Sequence, residues 1–149
     1  MKNLAWLMIF MLIGCGRGPS TLLRVGQAPI YDFPMYVSCG APGEILKFNA
    51  DGSREVFFSG LNDPRGLATD LYGNLYVVEQ GANKLTKIKI STKEATTVAD
   101  NLATPSVVAV NSVGEPFVAQ DGAMNIIRAS DKKVFASFSS IASALGWIG

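Results

Sequence analysis

The chain repeats itself at an interval of about 41 residues, and that spacing limits its possible folds more than any other feature. Pro105 follows Pro64 by 41 residues, and Gly114 follows Gly73, Phe117 follows Tyr76 and Gly122 follows Gly81 at the same distance. Leu85 and Ile126 match at that offset, as do Lys87 and Arg128. A weaker copy precedes these two. Tyr36-Val37 lies 40 residues before Tyr76-Val77, Ile45-Leu46-Lys47-Phe48 lies 40 before Leu85-Thr86-Lys87-Ile88, and Gly26 lies 40 before Gly66. Gly146-Trp147-Ile148 sits 80 after Gly66-Leu67-Ala68, where a further copy begins.

Within one copy the residues read as four short strands. Positions 66–69 are short and apolar, and 75–78 form a β-branched and aromatic run. Positions 85–90 alternate apolar residues with Thr and Lys, and 95–98 carry two threonines. Turn residues punctuate the gaps: Gly73-Asn74, Gly81 to Asn83, and Asp51-Gly52 in the first copy. No stretch after residue 20 has helical periodicity. A period near 40 with four short strands predicts an all-β fold, an array of β-propeller-like blades. Tyr36, Tyr76 and Phe117 recur at one repeat position and are expected in the core. Pro116 suits the first residue of a strand rather than its middle.

The copy at 61–90 resembles an NHL repeat. Its Asp63-Pro64-Arg65-Gly66-Leu67-Ala68-Thr69-Asp70, Gly73-Asn74-Leu75-Tyr76-Val77-Val78-Glu79 and Gly81-Ala82-Asn83-Lys84-Leu85 follow that family's pattern. The pattern runs Pro-x-Gly-apolar-Ala-x-Asp, Gly-Asn-apolar-Tyr-Val, then Asn-x-Arg-Ile. The 102–128 copy departs from it: Ser106-Val107 replaces Arg-Gly, and Asn111 stands for the Asp. The resemblance covers roughly residues 24–149 and implies a propeller; it names no reaction, because propellers host many unrelated activities. The 135 residues from Cys15 onward make about 3.3 copies, whereas propellers normally close with four to eight blades. An incomplete ring of about three blades is therefore expected. It is a piece of a longer propeller, a chain that pairs with a second copy or another chain, or an open sheet domain of its own.

The N-terminus reads as a leader. Lys2 precedes an apolar run over 4–13, followed by Gly14 and Cys15. Ten apolar residues suit the core of a signal peptide and are too few to span about 30 Å of hydrocarbon as a helix. Leu12-Ile13-Gly14-Cys15 resembles the bacterial lipobox. That resemblance implies a diacylglycerol thioether on Cys15, cleavage before it, and acylation of the new N-terminus. The expected organisation is a signal peptide over 1–14, a lipidated cysteine and tether over 15–20, and NHL-like propeller repeats over 21–149. Residue 16 is Gly rather than the Asp that retains Gram-negative lipoproteins at the inner membrane. In a Gram-negative cell the resemblance thus favours the outer membrane, and in any case the cell envelope. Two cysteines in an exported chain also allow one disulfide. With Cys15 taken by lipid, Cys39 is expected to stand alone as a small buried hydrophobe at a strand end, with a reactive thiol as the alternative.

Charge and composition exclude several classes of function. The chain carries 13 Lys+Arg against 12 Asp+Glu, and removing the leader with Lys2 leaves 12 against 12. Such balance gives no general attraction to nucleic acid. There is no histidine, which excludes Ser-His-Asp and Cys-His catalysis and imidazole-bound zinc within the chain. The loops around 79–83 and 120–125 are expected to crowd one mouth of the propeller, with the loop into the first strand bringing Arg65 towards the same region, where ligands usually sit. Glu79, Asn83, Asp121 and Asn125 offer oxygen atoms to a hard cation such as calcium. Equally, such residues bond nearby backbone and hold turns. Arg65 offers a cation to an anionic ligand or pairs with a neighbouring carboxylate, and Asp70 reads as a turn-stabilising group. The favoured reading is a membrane-tethered binding or scaffold lipoprotein, with no cofactor and a protein or small-molecule ligand. The alternative is a fragment of a calcium-dependent propeller hydrolase or lactonase of the periplasm, since the sugar-lactonase propellers, relatives by fold, use carboxylates and calcium at the channel.

Overall fold

The computed structural model describes residues 34–138. The expected leader, Cys15, the expected tether and the expected further copy near Gly146 lie outside the described residues.

Three antiparallel sheets follow one another along the chain. The first holds β1 (Met35–Cys39), β2 (Glu44–Phe48) and β3 (Arg54–Ser59). The second holds β4 (Pro64–Thr69), β5 (Asn74–Glu79), β6 (Lys84–Lys89) and β7 (Ala95–Ala99). The third holds β8 (Pro105–Val110), β9 (Pro116–Gln120), β10 (Asn125–Arg128) and β11 (Val134–Ser137). Each sheet is a simple meander, and β1 to β3 are the repeat counterparts of β5 to β7. The positions one repeat before β4 lie outside the described residues. The strands land where the 41-residue spacing puts them, and Pro116 is the first residue of its strand. Among the described residues the only helical element is a short 3-10 turn over Gln80–Ala82. The fold is an all-β, propeller-type array of blades.

The backbone repeats more faithfully than the side chains. Bulges fall at matching places: beside Ile45, Leu85 and Ile126 in the third strand of each copy, and after Pro64 and Pro105 in the first. Positive φ recurs at five repeat positions. These are Gly43, Asn83 and Met124; Gly52, Lys93 and Lys132; Gly60 and Asn101; Asp63 and Thr104; Gly73 and Gly114. Every described residue with positive φ belongs to one of these sets. A left-handed residue closes each hairpin or link, and blade to blade the chain keeps the conformation while changing the side chain.

Gly73, at φ +80°, closes the β4–β5 hairpin with open space around its Cβ position. Substitution there strains the backbone alone, so Gly73→Val is expected to lower stability by at least about 1 kcal/mol. A chemical-denaturation curve indistinguishable from wild type would refute this.

Packing lies between the blades. Leu75 and Val77 of β5 face the first blade and pack with Ile45, Phe57, Leu61 and Ile88. Tyr76 and Val78, on the other side of β5, pack with Leu85, Val108, Val118 and Ile127 towards the third blade. A strand covered on both faces has no room for alternation, and β5 is apolar from Leu75 to Val78. Tyr76 lies in the core as expected, while Tyr36 is half-buried against the ring of Phe57, with centroids 4.9 Å apart. Phe117, on the last blade, is only half-buried. The inner strands β4 and β8 approach so closely at Gly66 that a Cβ there would lie 2.7 Å from Val107 Cα, 2.8 Å from Ser106 O and 2.9 Å from Val108 N.

Cys39 ends β1 and is 3% exposed, a strand-end site as expected. It is not the lone cysteine that the sequence leads one to expect: it is disulfide-bonded. The difference has a simple physical basis, because pairing two thiols needs proximity in space, which local sequence does not report.

Candidate functional site

One end of the arc is built from interlocked loops. The loop after β5 holds the segment leading into β4: Gln80 N–H donates to Asp63 C=O at 3.1 Å and Gly81 N–H to Asn62 C=O at 3.2 Å. The third blade repeats the pair, with Asp121 N–H on Thr104 C=O at 3.0 Å and Gly122 N–H on Ala103 C=O at 3.1 Å. A Cβ at Gly81 would meet the exposed Asn62 side chain, which would have to swing aside.

The structure shows where each predicted side chain goes. Glu79 is 3% exposed. Its Oε2 accepts Asn62 N–H at 2.9 Å, and its Oε1 accepts the Thr86 hydroxyl at 2.6 Å and faces Lys84 Nζ at 3.2 Å. Gln120, one repeat later, does the same work: its Oε1 accepts Ala103 N–H at 2.7 Å while its Nε2 donates to Asn125 Oδ1 at 2.9 Å. Asp121 Oδ1 accepts the Ser106 hydroxyl at 2.7 Å. Asn83 is an exposed left-handed residue, φ 50°, whose carbonyl accepts Leu102 N–H at 2.9 Å. Arg65 is exposed and pairs with Asp63 Oδ2 at 3.0 Å, while its carbonyl accepts the Ser38 hydroxyl at 2.6 Å. Glu79 and Asn83 share one loop, and Asp121 and Asn125 share its counterpart one blade on. Side-chain oxygens of Glu79, Asp121 and Asn125 accept hydrogen bonds within this network, and among the described residues no group of three or more Cys, Asp or Glu is placed to hold a metal ion.

Sequence reasoning passed over Gln120, Thr86 and Asp63, which complete these ties. The signal was present for Gln120, which stands 41 residues after Glu79. Thr86 and Asp63 become visible only once the β5–β6 register and the fold-back of the 60–63 loop are known.

The opposite end carries the β4–β5 and β8–β9 turns. Asp70 Oδ1 accepts Tyr72 N–H and Asn74 N–H, each at 2.9 Å, and Oδ2 accepts Asn74 Nδ2 at 2.7 Å. Burial pushes this carboxyl up, but the hydrogen bonds from Asn74, Tyr72 and Tyr76 outweigh it and hold Asp70 below the usual carboxylate range. Asn111 repeats the turn, its Oδ1 accepting Val113 N–H at 3.1 Å and Glu115 N–H at 2.9 Å.

No protein-family profile matches the chain, and no curated protein matches it in sequence. Solved structures do match in shape. A streptogramin B lyase superposes with a TM-score of 0.59 at 14% identity, over 74% of this chain and 39% of that one. A virginiamycin B lyase from Staphylococcus aureus, an inactive variant with quinupristin, gives 0.60 at 15% identity, over 75% of this chain and 40% of that one. A nidogen/laminin complex gives 0.61 at 15% identity, over 71% of this chain and 44% of that one. The chain spans about two-fifths of the length of these structures. They are β-propellers, and likeness at this identity is a likeness of fold.

Proposed function

We propose that the chain is a bacterial cell-envelope lipoprotein, held to the membrane by a lipid on Cys15 and presenting an NHL-type propeller surface that binds or scaffolds a ligand. The observation that carries the reading is the order of Lys2, the apolar run over 4–13, Gly14 and Cys15, directly ahead of a short Gly-Arg-Gly-Pro-Ser tether and the blades. One acyl chain anchors marginally and two or more anchor stably, at about 0.8 kcal/mol per buried methylene. No helix among the described residues is long and apolar enough to cross a membrane.

The sulfur chemistry supplies a strict test. The chain has two cysteines, so a thioether at Cys15 and a disulfide between Cys15 and Cys39 exclude each other. The bonded Cys39 is the arrangement that an anchored chain could not keep. Cells fed a clickable fatty acid are expected to label the wild type and not Cys15→Ala. Equal label in the variant, or an unlabelled chain with both cysteines oxidised, would overturn the anchor.

A second reading, part of a calcium-dependent propeller hydrolase, draws on a shape likeness to regucalcin, a calcium-binding protein from Agrobacterium tumefaciens, at a TM-score of 0.53 and 16% identity. Heat released on calorimetric titration with calcium, and lost in Asp121→Asn, would favour it over the binding surface.

A further inference from the structure

Among the described residues, the first and the last blade each present an apolar outer face, and the repeat shows that these faces are mates. At the last blade, Phe117, Ala119 and Ile126 share one side with Val107 and Ala109 through the β8–β9–β10 register. With Phe135 they line an apolar hollow of about 330 Å³. Val107 is 56% and Phe135 69% exposed. One repeat earlier the same positions are Tyr76, Val78 and Leu85, the side of the middle blade that holds its neighbour. The residues seated on that side are Val118, Ile127 and Ala129 of the third blade, all buried.

Two repeats before Val118, Ile127 and Ala129 stand Val37, Leu46 and Phe48. In the first blade Tyr36 and Ile45 point towards the second blade. By strand alternation and cross-strand pairing, Met35, Val37, Leu46, Phe48 and Val56 share the opposite side, which no described blade covers. Met35 is 57% and Val56 48% exposed. One end of the arc therefore carries the seated surface of a blade junction, and the other carries the receiving surface.

We propose that a second copy of this chain closes the ring, the Val37–Leu46–Phe48 side of each copy docking in the Phe117–Ile126–Phe135 hollow of the other. Two identical head-to-tail junctions related by a two-fold axis give a closed dimer of about six blades, within the ordinary range for propellers. Each junction continues the packing already formed between the second and third blades. The partner is chosen by shape and repeat position, because exposed apolar sides of this kind on a soluble surface mark an interface. The inference rests on the fold and is independent of the lipid anchor.

The test is sedimentation of the full chain in density-matched detergent, with two variants at residues more than half exposed in the single chain. Wild type is expected at twice the mass of one chain. Met35→Lys spoils one side of the junction and Phe135→Lys the other, so each alone should fall to monomer while keeping its circular dichroism. Mixed in equal amounts, the two variants still share one intact junction and should recover a dimer, weaker than wild type. A wild-type monomer would overturn the proposal and mean that other residues of the chain, or blades encoded elsewhere, cover these sides. An open series of masses, or a mixture that stays monomeric, would overturn it as well.

Discussion

Gly66→Ala is expected to cost roughly 3 kcal/mol, the upper part of the usual range for overpacking, and Gly66→Val more. The added carbon meets three backbone atoms of β8 at 2.7–2.9 Å. A flexible side chain would swing aside, whereas the backbone of β8, held to β9 on both sides of its bulge, does not. Relief comes only by separating the second blade from the third, which opens the cluster of Tyr76, Val78, Leu85, Val108 and Val118. Gly66 does not have positive φ, so the cost is one of approach and not of backbone conformation. Urea denaturation measures it directly. An alanine variant with the wild-type midpoint would show that β4 and β8 lie farther apart than described here.

The other large effect is at Glu79. Glu79→Leu removes the acceptor for Asn62 N–H, the Thr86 hydroxyl and Lys84 together. Each buried donor left unpaired costs about 1–3 kcal/mol. Lys84 is one-third exposed and returns to water, so its share is discounted. A total near 3 kcal/mol is expected. Glu79→Gln should cost under about 1 kcal/mol, since Gln120 already performs this task in the next blade with an amide oxygen. Equal losses in the two variants would mean that charge, and not acceptor geometry, holds the loop.

The blades were legible because strand, turn and bulge recur in phase. Pro64 and Pro105, Gly73 and Gly114, and Tyr76 and Phe117 mark the same structural places, and the four strands of the middle copy fall within a residue or two of their expected limits. The loop residues were harder to read. Glu79 follows an apolar strand and looks like the first polar residue of an exposed loop. Its burial depends on Asn62, 17 residues away, folding back over it. Asn83 and Met124 share a left-handed conformation that neither composition nor hydropathy announces. Cys39 was readable as buried and not as bonded, for its partner is set by proximity in space.

The two-sided burial of β5 carries a consequence for how the molecule finds its alignment. From Leu75 to Val78 the strand offers apolar side chains to both neighbours. Sliding it by one residue would exchange the two sets and leave both clusters greasy, so hydrophobicity alone cannot choose between the alignments. The choice falls to polar pins at its two ends. Asn74 is fastened to Asp70 at one end, and Glu79 is fastened to Asn62 and Thr86 at the other. A slip would break both sets at once. The central strand owes its stability to the hydrophobic effect, and its address to one aspartate and one glutamate.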